Sequence, residues 1–76
     1  MYELIEIKPG VCHGRPVFKG TRVLVGTILG ALAGGDSIEM ILEDYPSLTR
    51  EHIRVALVFA SELSLFEDVP YQVNQT

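Results

Sequence analysis

The chain has 76 residues, 47% of them hydrophobic, with six Lys and Arg against ten Asp and Glu for a net charge of −4, and a single cysteine. Folding so short a chain removes only roughly 60% of its unfolded surface, so a single domain over residues 1–76 is expected, with apolar area left for a second copy or a partner. One cysteine excludes an internal disulfide framework, and Cys12, His13 and His52 lack the spacing of a zinc site; Met1-Tyr2-Glu3-Leu4 does not open like a signal peptide, and the expectation is a soluble cytoplasmic protein without metal or cofactor.

Charge is unevenly spread. Residues 1–35 carry Lys8, Arg15, Lys19 and Arg22 against Glu3 and Glu6, and no acid occurs from Ile7 to Gly35. Residues 36–76 carry Arg50 and Arg54 against eight acids. The overall field opposes nucleic acid, so DNA contact would be local and salt-sensitive, whereas the acidic half suits a basic partner.

In chain order, Leu4, Ile5 and Ile7 within Tyr2–Ile7 predict a short strand ended by Pro9-Gly10. Cys12 beside His13 does not make a nucleophile and base, because neighbours on an extended chain point to opposite faces. Val17-Phe18 and Val23-Leu24-Val25 favour a pleated surface, and Lys19-Gly20-Thr21-Arg22 between them reads as a basic turn in which Gly20 takes a positive φ. These two runs predict a small hairpin or bent strand pair, within a β element and basic turn that span residues 1–25. Lys19 precedes Gly20 at the wrong spacing for a phosphate-binding loop.

Three helices follow over 26–66. Gly26 to Ala33 forms the first, with Val25, Ile28, Leu29 and Leu32 on one face and Gly34-Gly35 as its stop. Gly26, Gly30 and Gly34 recur every four residues, a strip best explained by a backbone packed closely against it, within the fold or across a homodimer. The uncharged run from Val23 to Gly35 is too short to span a bilayer, which takes about 20 residues. Asp36 and Glu39 read as a capping box for a second helix with Ile38, Ile41, Leu42 and Tyr45 inward, closed by Pro46. Thr49 caps a third helix from Arg50 to about Ser64 or Phe66, with Ile53, Ala56, Leu57 and Ala60 on its core stripe. Val55, Val58, Phe59, Leu63 and Phe66 form a second stripe, to be covered by another chain or by the N-terminal strands. The tail over 67–76 alternates at Val69, Tyr71 and Val73 and suits strand addition to a partner's sheet edge, or fraying.

The short link Tyr45-Pro46-Ser47-Leu48 turns the chain sharply, giving the outline of a helix-turn-helix. In that geometry the third helix offers Arg50, His52 and Arg54 to base edges and phosphates, although the same residues serve equally as ordinary solvated positions.

The run from Val11 through Gly14-Arg15-Pro16-Val17-Phe18-Lys19-Gly20-Thr21-Arg22-Val23, with Val25, Ile28-Leu29, Ala33-Gly34, Ile41-Leu42, Tyr45-Pro46 and Leu48-Thr49, closely resembles DUF433, a family of domains of unknown function. His13 stands where that family commonly has a second glycine, and Phe18 where an aliphatic is usual. The resemblance implies a mainly α fold, a three-helix homeodomain-like helix-turn-helix bundle with a short N-terminal β element. It also implies kinship with VapB-type antitoxins, which are often paired with a PIN-like nuclease toxin.

The expected function is therefore that of an antitoxin-like homodimer, not an enzyme, that neutralises a PIN-like ribonuclease by direct binding. Arg15, Lys19 and Arg22, with Phe66, Val69 and Tyr71 of the tail region, are the partner-binding candidates. Arg50, His52 and Arg54 are the candidates for autoregulatory contact with operator DNA. The alternative is a stand-alone DNA-binding regulator with no toxin partner.

Overall fold

The computed structural model describes residues 2–10 and 12–68. Its elements are a 3-10 turn at Tyr2–Leu4, β1 at Ile5–Glu6, a 3-10 turn at Cys12–Gly14, β2 at Val17–Phe18, and helices α1 (Val25–Ala33), α2 (Ile38–Asp44) and α3 (Arg50–Asp68). The fold is thus mainly helical with a short N-terminal β element.

The β element contains the expected bent pairing of Val17-Phe18 with Val23-Leu24 around the Gly20 turn, the Phe18 amide donating to the Val23 carbonyl at 3.1 Å, and adds a second neighbour to it. β2 pairs antiparallel with β1 in the register Ile5 to Phe18 and Glu6 to Val17, and Val17 also bridges Leu24. β2 therefore lies between two neighbours. The predicted strand over Tyr2–Ile7 is cut to two residues because Tyr2–Leu4 coils into the 3-10 turn.

The link from β2 to α1 is built by local chemistry. The Thr21 amide donates to the Phe18 carbonyl at 3.0 Å, and Gly20 has φ 80°. A positive φ at the third turn position alone is the type II requirement that glycine meets without a Cβ clash. Thr21 locks the turn with its hydroxyl, which donates to the Phe18 carbonyl at 2.7 Å and accepts from the Val23 amide at 3.0 Å.

Cys12 and His13 lie in a tight turn instead of an extended segment, and His13 sits at φ 60°, ψ 31°, followed by Gly14 at φ 77°. A left-handed backbone at residue 13 accounts for glycine being the easier residue there.

The core joins both halves. Ile5, Phe18, Val25, Ile28, Ile41, Leu48, Ile53, Val55 and Ala56 form one buried cluster, with Leu29, Leu32, Ile38, Leu42, Tyr45 and Phe59 packed against it. The inward faces predicted for the first two helices match this list.

Four local expectations are corrected. Ser37, not Asp36, caps α2 by accepting from the Met40 amide at 3.1 Å, so Glu39 lies one position short of a capping box. In α3, Val55 is buried while Leu57 is 47% exposed. Both sit about 100° from Ala56 around the axis, on opposite sides, and the covered side is the one that also carries half-buried Phe59. α3 runs on to Asp68, so Glu67 and Asp68 are helical rather than tail. Finally, a Cβ added at Gly26 or Gly30 would meet nothing within 4 Å, and one at Gly34 only the carbonyls of Gly30 and Ala31, so among the described residues no separate segment packs against the glycine strip.

Candidate functional site

The sequence candidates separate into two places with different electrostatics. At the start of α3, the His52 side chain reaches back to cap Thr49. The Thr49 amide donates to His52 Nδ1 at 3.0 Å, the Thr49 hydroxyl lies 3.0 Å from the same nitrogen, and the His52 and Ile53 amides donate to the Thr49 carbonyl. This is one half of a capping box, with an imidazole doing what Glu or Gln usually does. The half-buried His52 ring also meets the buried Phe18 ring edge-on, at 5.3 Å between centroids. His52 is therefore turned toward the fold rather than outward.

Arg50 and Arg54 are exposed but engaged. Arg50 pairs with Glu39 across the α2–α3 junction. Arg54 grips Glu51 with two parallel bonds, Nε to Oε1 at 3.1 Å and Nη2 to Oε2 at 2.6 Å. The hydrogen bond from Arg50 holds the Glu39 carboxyl below its ordinary value, and the bond from Arg54 does the same to Glu51 while raising the Arg54 guanidinium. Each guanidinium on this face thus carries its own carboxylate.

The second place is the basic end of the β element. The Pro16 carbonyl accepts from the Val25 amide at 3.1 Å, which fastens the Arg15-Pro16 segment beside the first turn of α1. Between them lies a groove of about 280 Å³ lined by Arg15, Pro16, Leu24, Gly26 and Thr27. Arg15 and Lys19 are exposed, and among the described residues neither has an acidic partner. Lys19 projects from the turn whose backbone is tied down by its own amide, which donates to Leu4 at 2.7 Å. Arg22 is exposed but already engaged.

Phe66 lies within α3, and Val69 and Tyr71 lie outside the described residues, as does the alternating tail. Leu24, Gly26 and Thr27 were not singled out as site residues; nothing in the linear pattern puts them beside Arg15, because the Pro16–Val25 and Val17–Leu24 pairings that do so join separate segments. No helix among the described residues is long and apolar enough to cross a membrane.

Fold and surface together define a small helical fold with a two-strand β element and a basic turn, in which, among the described residues, Arg15 and Lys19 have no acidic partner while Arg50 and Arg54 each have one. The chain belongs to the DUF433 family, described as proteins of unknown function, whose pattern matches residues 5–60. It is similar to the uncharacterized protein y4eO of Sinorhizobium fredii, with 41% identity over 58 residues, which are 76% of this chain and 26% of that protein. The chain thus spans about a quarter of the length of that curated relative. It is also similar to the crystal structure of a DUF433 member protein from Anabaena variabilis, with 32% identity and a TM-score of 0.74 over 78% of this chain and 58% of the other.

Proposed function

We propose that this domain is a non-catalytic, antitoxin-like inhibitor that binds a PIN-like ribonuclease directly and acts as a homodimer. The observation that carries the reading is the contrast between Arg15 and Lys19 at the β end, which have no acidic partner among the described residues, and paired Arg50 and Arg54 on α3. A nuclease of that kind gathers carboxylates around metal ions, so a basic side chain placed among them, or a surface laid over the substrate groove, blocks the site. Half-exposed Leu57 and Leu63 on α3 supply apolar surface suited to a second copy.

Operator binding is the second reading, favoured by the sharp turn from α2 into α3. It requires Arg50 and Arg54 to exchange Glu39 and Glu51 for phosphates, which lowers the expected affinity and makes it steeply salt-dependent. Affinity purification of the tagged chain from its native cells, with and without nuclease treatment, followed by mass spectrometry, separates the two. Recovery of a stoichiometric ribonuclease after the treatment supports inhibition. Recovery of DNA alone, or of the homodimer alone, overturns it.

A further inference from the structure

We propose that the groove beside Arg15 docks an acidic segment of a protein partner, with a carboxylate on the Arg15 guanidinium and an aliphatic neighbour on Pro16 and Leu24. This rests on the protein-binding reading above and adds the chemistry of what is bound and the residue that holds it. Charge complementarity is the first ground. The groove lies within the acid-free stretch from Ile7 to Gly35, and Arg15 has no acidic partner among the described residues, whereas Arg50 and Arg54 each have one. A planar guanidinium presented free beside a cleft matches the geometry of a carboxylate in a two-bond grip.

Size and lining are the second ground. A volume of about 280 Å³ lies just below the range of pockets that take drug-sized ligands, roughly 300–1,000 Å³, and admits one or two side chains but not a helix. Pro16 and Leu24 are half-buried and form an apolar wall, the Thr27 hydroxyl adds a donor, and Gly26 leaves open space where any other residue would place a Cβ.

The test is amide-resolved NMR titration of the full chain with the acetylated, amidated peptide Leu-Glu-Leu-Asp-Leu and its uncharged counterpart Leu-Gln-Leu-Asn-Leu. Saturable shifts centred on residues 15, 24, 26 and 27 are expected with the acidic peptide only. Affinity should fall about ten- to hundredfold in R15Q, the loss of one charged hydrogen-bonded contact, and stay unchanged in R54Q. Three results overturn the proposal: no saturable shift, equal shifts with inorganic phosphate, or the same shifts produced by concentrating the chain alone, which would mark a second copy as the occupant. Failure of the nuclease reading is distinguishable. A ribonuclease inhibited equally by wild type and R15Q sinks the groove proposal alone, whereas peptide binding through Arg15 without any inhibited nuclease sinks the functional reading alone.

Discussion

Phe18→Ala is the perturbation that most directly tests how the β element is joined to the helices. The ring is fully buried and belongs to the common core, while the Phe18 backbone makes its turn and strand bonds regardless of side chain. Truncation removes the ring's burial and leaves a cavity between strand and helices, a loss of about 3–5 kcal/mol. A domain of 76 residues has a total stability of about 4–11 kcal/mol, so the variant should sit near the edge of folding. Urea unfolding followed by circular dichroism reads this as a large drop in midpoint. A loss below about 1 kcal/mol at unchanged slope would refute the placement of Phe18 at the centre of the core. The edge contact with His52 is isolated by a cycle of Phe18→Leu and His52→Ala, for which a coupling of about 0.5–1.5 kcal/mol is expected.

Gly30→Ala should stabilise by about 0.5–1 kcal/mol, because the helix gains propensity and the new Cβ meets nothing within 4 Å; a loss that deepens as the protein is concentrated would reveal a partner on that face. His13→Gly should stabilise by about 1 kcal/mol in a thermal melt by relieving the left-handed backbone, and a loss would mean that the imidazole makes a contact worth more than the strain. The Glu39 carboxyl has a folded pKa below its ordinary 4.5, so its pairing with Arg50 stabilises above that value and fades as pH falls through the depressed one. The difference in melting temperature between wild type and E39Q should therefore shrink on acidification, and a difference constant with pH would contradict the pair.

Much of the fold is legible in the sequence because helix periodicity and turn chemistry are local. The inward faces of α1 and α2, the Gly20 turn and the Pro46 stop all follow from spacing within one element. What is not legible depends on which side a neighbour covers. Leu57 and Val55 are symmetric about the α3 stripe, and only the packed structure breaks the tie. The strand pairing of residues 5–6 with 17–18 is likewise non-local, and it gives the chain a central β2 that no hairpin signal contains. For the site, the basic residues were visible, but not the difference between them. That Arg50 and Arg54 find carboxylates while Arg15 and Lys19 have none among the described residues depends on rotamers and on the crossing of α2 and α3. His52 illustrates the same point: as a letter beside two arginines it suggests nucleic acid, whereas in the fold it caps α3 and touches Phe18.

The most direct measurement is cleavage of RNA by any ribonuclease that co-purifies with the chain, as the chain is titrated in. Inhibition is expected to be complete at stoichiometric ratio, abolished by Arg15→Glu with Lys19→Glu and retained by Arg50→Ala with Arg54→Ala. Unimpaired cleavage at saturating chain, or inhibition lost only in the α3 variant, would contradict it.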